Sequence, residues 1–135
     1  MDAAEALEFV RDNHRGVLCT RRRDGGPQMS PVVVGTGSGC VVVSSREGAY
    51  KVRNLRRDPR ASVLVMADGF FGPWCQIDGT AEIVSLPEAM DGLVEYYRSI
   101  SGEHPDWDEY RAAMRDEARV IVRIAIEAIR PTLSG

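Results

Sequence analysis

The chain has 135 residues, of which 44% are hydrophobic and 27% charged, and its formal net charge is −3. That length predicts one domain over residues 1–135 with a core of its own, and the balance excludes disordered and fibrous classes. The negative charge argues against a nucleic-acid partner, and no apolar run approaches the ~18 residues that would predict a membrane-spanning helix.

In chain order, residues 3–13 read as an amphipathic helix with Ala3, Leu7 and Val10 on one face. Residues 16–22 and 28–35 read as a hairpin, because Asp24-Gly25-Gly26-Pro27 is a strong turn signal. Pro31 cannot donate to a strand ladder, so it predicts an edge strand or a bulge. Gly35–Gly39 reads as the next turn and Cys40–Ser45 as a third strand. Residues 48–57 read as a helix that stops at Asp58-Pro59, since the residue before a proline is pushed out of the helical region. Ala61–Ala67 reads as a buried strand and Trp74–Val84 as a longer one. Ser85-Leu-Pro-Glu88 has the pattern of a capping box, which predicts a helix starting there. Residues 106–116 read as a further helix and 118–129 as a last strand. Six antiparallel strands with few helices predict a mainly β chain, closed or partly split into a barrel.

Cys19, Cys40 and Cys75 have no C-x-x-C spacing, and their odd number with no signal peptide predicts reduced thiols in the cytoplasm. With only His14 and His104 available, no metal-ligand spacing is present. No catalytic constellation stands out, so no catalytic residue is assigned.

The charge is unevenly spread. Residues 46–60 hold six cations and two anions, whereas the rest of the chain holds 11 cations and 18 anions. A basic island in an acidic chain suits a small anionic ligand better than a long polyanion. The only lysine, Lys51, lies within it, beside 16 arginines in the whole chain. Ser44, Ser45 and Arg46 end the third strand, and Lys51 falls one turn inside the helix after it. Hydroxyls, helix N-terminal N–H groups and an ammonium together make a phosphate seat. Charge runs are usually solvated faces, so spacing alone favours an exposed basic helix, with the phosphate seat as the rival reading. Gln28 and Ser30 alternate on one face of the second strand; they read as a ligand groove or as an ordinary polar face. Trp74 reads as a ring-stacking residue or, more commonly, as a residue closing a barrel mouth. Tyr96, Tyr97 and Trp107 read as helix-packing residues.

The run from Lys51 to Val65, K-V-R-N-L-R-R-D-P-R-A-S-V-L-V, resembles a stretch of the split β-barrel flavin/deazaflavin oxidoreductases. These are the pyridoxamine 5′-phosphate oxidase-like proteins, and the run is most similar to an actinobacterial, coenzyme F420-dependent group. G-V-L-C-T and D-G-G-P-Q-M-S (16–30), D-G-T-A-E-I (78–83) and Y-R-S-I-S-G-E-H-P-D-W-D-E-Y-R-A-A-M (97–114) agree and occur in the right order. The resemblance implies a six-stranded antiparallel split barrel with flanking helices, and a homodimer with cofactor sites at the subunit interface. It implies that Ser44, Ser45, Arg46 and Lys51 meet the cofactor phosphate, that Gln28 and Ser30 line the cleft, and that Asn54 and Trp74 lie near it. Ala49 stands where some relatives carry a basic residue, a charge that Arg46 is placed to supply. Val32–Val34 are smaller than the residues many relatives carry there. The implied activity is hydride transfer between a reduced deazaflavin, coenzyme F420, and an electron-poor small-molecule substrate, the hard step being the cofactor's own. FMN in place of the deazaflavin, or a non-catalytic carrier, are the alternatives. No membrane partner is expected.

Overall fold

The computed structural model describes residues 1–131. Seven strands form one sheet: β1 (Arg15–Arg21), β2 (Pro27–Val33), β3 (Gly35–Gly37), β4 (Cys40–Arg46), β5 (Arg60–Met66), β6 (Trp74–Val84) and β7 (Arg119–Arg130). Four helices join them: α1 (Ala3–Asp12), α2 (Tyr50–Arg57), α3 (Met90–Ser101) and α4 (Trp107–Asp116). The order across the sheet is β2-β1-β5-β6-β7-β4-β3, and every pairing is antiparallel. The sheet curls into a half-barrel, the expected split-barrel architecture.

Six strands are expected and seven are present. The additional one is β3, which the glycine-rich stretch 35–39 disguises as a turn. Only Ser38 and Gly39 turn, both at positive φ (52° and 75°). That is what a two-residue hairpin loop requires, and it lets Gly35–Gly37 pair with the free edge of β4. Pro31 sits on β2, an edge strand, where its missing N–H costs no ladder bond. The 22–26 turn is closed by the Asp24 carboxylate, which accepts from the Gly26 N–H at 2.9 Å.

Period-2 alternation divides the strand residues between two cores. Val41 and Val43 of β4, Val63 and Val65 of β5, Ile77 of β6 and Val122 of β7 face the inside of the curl. There they meet Ala6 and Val10 of α1 and Val52 and Leu55 of α2. Each buried Val, Leu or Ile among them contributes about 1.5–3 kcal/mol, which makes α2 an integral plug of the half-barrel. Val42 and Ile121 point the other way and pack under α3 and α4 with Leu93, Val94 and Tyr110. Tyr97, His104, Trp107 and Tyr110 form a cluster of rings with centroids 5.1–5.7 Å apart that joins α3 to α4.

Two helix starts differ from expectation. α2 begins at Tyr50, because Arg46–Ala49 forms a turn closed by the Ala49 N–H on the Arg46 carbonyl at 3.1 Å. α3 begins at Met90, not Ser85. The Ser85 hydroxyl is not free to cap: it donates to the Glu47 carboxylate at 3.0 Å and accepts from Arg56 at 3.1 Å. At the other end of the α3–α4 unit, Ala118 holds φ +50°, a left-handed conformation that strains any residue with a Cβ. Ala118→Gly is therefore expected to stabilise the fold by roughly 0.5–1 kcal/mol, read as a raised urea midpoint at unchanged slope.

Among the described residues no helix is long and apolar enough to cross a membrane.

Candidate functional site

Where the curl brings β2 close to β4, a cleft of ≈ 560 Å³ opens. Val32 and Val33 of β2, Ser44 of β4, Lys51 of α2, and Glu117 and Arg119 at the α4–β7 junction all line it. Tyr96 of α3 spans the gap between the two strands. Its hydroxyl donates to the Val33 carbonyl at 2.7 Å. Burial pushes the Tyr96 phenol up, and the Ser44 backbone and the Arg119 charge pull the other way without reversing it. The phenol therefore keeps its proton at neutral pH.

The adjacent serines at the end of β4 part company, because neighbouring strand residues face opposite sides. Ser44 faces the cleft. Ser45 faces the interior, is 4% exposed, and donates to the Arg46 carbonyl. Arg46 returns to the Ser44 side and stands directly opposite Arg119 in the β4–β7 register.

Of the cations at the cleft, Lys51 has no ion pair among the described residues, whereas Arg46 and Arg119 do. Glu47 pairs with Arg56, Asp58 with Arg60, and Glu117 with Arg46 and Arg119. That leaves the Lys51 ammonium without an ion-pair partner among the described residues. The start of α2 is equally open: Ala49 at its N-cap makes no side-chain capping bond. The backbone N–H groups of Tyr50 and Lys51 likewise have no acceptor among the described residues. Unsatisfied N–H groups at a helix N-terminus carry partial positive charge and bind anions.

Asn54 and Gln28 belong to an internal relay. The Asn54 amide, 7% exposed, donates to the Thr20 hydroxyl at 3.1 Å, and that hydroxyl donates to the Gln28 amide oxygen at 3.3 Å. Arg57 donates to the Asn54 oxygen at 2.9 Å and to the Arg21 carbonyl at 2.8 Å. The relay ties α2 to β1 and β2, and so fixes where Lys51 stands. Ser30 shares the Gln28 and Val32 face of β2. Its hydroxyl oxygen is buried and has no partner among the described residues. A buried orphan hydroxyl costs about 1–3 kcal/mol, so it is a fitting place for a ligand or water contact.

Trp74 lies elsewhere. It lines a hollow of ≈ 790 Å³ on the outer face of β1, β2, β5 and β6, with Met29, Leu64 and Phe70. Met29 is 64% and Phe70 80% exposed there. Three cleft residues, Tyr96, Glu117 and Arg119, are not marked by any sequence signal. Tyr96 resembles any aromatic on a helix face, and Glu117 lies 71 residues from Arg46, far outside the basic island.

A half-barrel of antiparallel strands, with a cleft at the split and a basic helix at its end, defines the split-barrel class of folds. The pattern of the pyridoxamine 5′-phosphate oxidase family matches residues 3–133, and the chain belongs to that family. Among solved structures, a conserved hypothetical protein, Rv2991 from Mycobacterium tuberculosis, is 30% identical with a TM-score of 0.78 over 96% of this chain and 82% of its own. An F420 reductase is 20% identical with a TM-score of 0.68 over 90% and 93% of the two chains. A heme binding protein from Mycobacterium smegmatis is 21% identical with a TM-score of 0.69 over 96% of this chain and 53% of that one. The latter two likenesses are of fold.

Proposed function

We propose that the cleft holds the phosphate of a flavin-type cofactor and that the protein is a coenzyme F420-dependent oxidoreductase. Its substrate would be an unsaturated or electron-poor small molecule. The observation that carries this reading is the unpaired Lys51 ammonium beside the Ser44 hydroxyl and the open N-terminus of α2. Lys51, Ser44 and the α2 N–H groups bind the phosphate, with Arg46 at the rim and the orphan Ser30 hydroxyl behind. Asn54 and Gln28 hold α2 in place, and Ser45 shapes the turn beneath it. The cleft is charged at the α2 end and apolar along Val32, Val33 and Met114, which suits a ligand with an anionic end and a flat apolar body. When bound, such a cofactor supplies the hydride chemistry. The protein contributes position and exclusion of water.

The F420 reading rests on the local resemblance of 51–65 and on the shared fold of an F420 reductase. FMN has the same phosphate and a similar ring, and is the second reading. A non-catalytic carrier is the third; it predicts binding without turnover when the reduced cofactor meets quinone or enone acceptors. The exposed apolar hollow of Met29, Phe70 and Trp74 supports a homodimer in which the partner covers this face. Trp74 would then serve the site from across the interface. Titrating the protein with coenzyme F420 and with FMN in a sedimentation experiment with absorbance detection tests these parts together. The expected result is one F420 per chain, bound more tightly than FMN, on a particle of twice the chain mass. Tighter FMN moves the assignment to FMN, binding of neither removes the cofactor reading, and a monomer removes the dimer.

A further inference from the structure

Glu117 is an odd residue to find at a site for anions. Its Oε1 accepts from Arg119 Nε at 3.0 Å and Nη2 at 2.8 Å, and from Arg46 Nη2 at 3.4 Å. One carboxylate oxygen thus bridges two guanidinium groups that the β4–β7 register sets opposite each other, and offsets one of their two charges. The residue is also the C-cap of α4. A helix C-terminus carries partial negative charge, so a carboxylate there is placed against the dipole. The arginines, and not the helix, are its reason for being there. Its backbone is fixed on both sides: the Glu117 N–H donates to the Ala113 carbonyl at 2.9 Å and the Ala118 N–H to the Arg115 carbonyl at 3.1 Å. The Ala118 carbonyl in turn accepts from the Glu47 N–H at 2.9 Å. The side chain itself is 30% exposed and can swing into solvent.

We propose that Glu117 is a built-in counter-anion, which occupies the arginine end of the cleft and must give way before an anionic ligand can use Arg46 and Arg119. This rests on the phosphate reading of the same cleft and adds a specificity device to it. With Glu117 in place, the group of Lys51, Arg46 and Arg119 presents a net +2 rather than +3. A bare anion then gains little by displacing the carboxylate. A ligand that also lays an apolar ring along Val32 and Val33 has further binding energy with which to do so. Glu117 therefore lowers the affinity of every phosphate alike, so that the site fills only with a ligand that adds the apolar contact along Val32 and Val33.

The test compares FMN, riboflavin and inorganic phosphate binding to the full chain and to two variants. Glu117→Gln keeps the shape and an acceptor oxygen but removes the charge. It is expected to tighten FMN and phosphate by about three- to fivefold at low salt, the scale of a partly screened charge interaction. The gain should shrink at high salt, and riboflavin, which has no phosphate, should bind as before. Glu117→Asp withdraws the carboxylate by one methylene and should give a smaller gain, so the idea remains testable should the first variant fail to fold. Unchanged or weaker FMN binding in these variants, with Lys51→Ala still weakening it, overturns the counter-anion proposal alone. Equal tightening of riboflavin also overturns it, because the effect would then be one of shape. No effect of Lys51→Ala on FMN or F420 removes the phosphate reading and this proposal with it.

Discussion

Lys51→Ala is expected to weaken the binding of coenzyme F420 and of FMN by roughly 1.5–3 kcal/mol, the worth of a hydrogen bond to a charged group, or about ten- to a hundredfold. The size follows from what the ammonium lacks in the free protein. Each carboxylate of the basic island and of the cleft already has an arginine partner. A phosphate arriving at Ser44 and the α2 N-terminus therefore meets a cation with no competing partner to give up. The same fact predicts that the variant folds normally. Among the described residues no ion pair is broken by removing the side chain, and the anchors of α2 are Val52, Leu55 and the Asn54 relay. Equilibrium titration by absorbance, with urea unfolding as the control, separates the two effects. Unchanged affinity at unchanged stability would rule out the phosphate seat.

Gly79→Ala is expected to cost more than about 3 kcal/mol of stability, a large share of the roughly 5–15 kcal/mol typical of a domain. At Gly79 the β6–β7 register shifts: Asp78 faces Ala128, but Gly79 faces Ile126. β7 thus has one extra residue, Glu127, whose carboxylate accepts from the Thr80 hydroxyl at 2.8 Å. This bulge sharpens the local twist just beyond Ile124, where the pairing of β7 with β4 ends and that with β6 runs on. The approach is so close that a Cβ on residue 79 would lie 1.9 Å from the Ala125 carbonyl oxygen. A backbone oxygen within a strand cannot retreat without breaking the ladder. Urea unfolding checks this; a loss below about 0.5 kcal/mol, the usual limit of an inconsequential substitution, would mean that the strands do not meet in this way.

Much of the protein is local in origin and was legible as such. Asp24-Gly25-Gly26 makes its turn through its own carboxylate, α2 ends at Asp58-Pro59 because proline forbids its continuation, and Pro31 requires an edge. The basic run around Lys51 is likewise local, and it forms the helix Tyr50–Arg57 that the Asp58-Pro59 stop predicts. Other features depend on which distant groups meet, and these only the tertiary structure decided. Ser85 has the sequence of a helix cap, but its hydroxyl is bound to Glu47 and Arg56, 38 and 29 residues away. Gly35–Gly37 is a strand only because β4 offers it an open edge. Ser44 and Ser45 are alike in sequence, yet the sheet's alternation gives one to the cleft and the other to the core. The family resemblance implies that Trp74 lies near Lys51, yet within one chain it lines a separate hollow. Tyr96, Glu117 and Arg119 reach the cleft through the curl of the sheet and the β4–β7 register, which follow from long-range pairing rather than from any run of neighbouring residues. Local chemistry determined the helix that carries Lys51, and the curl determined what surrounds it.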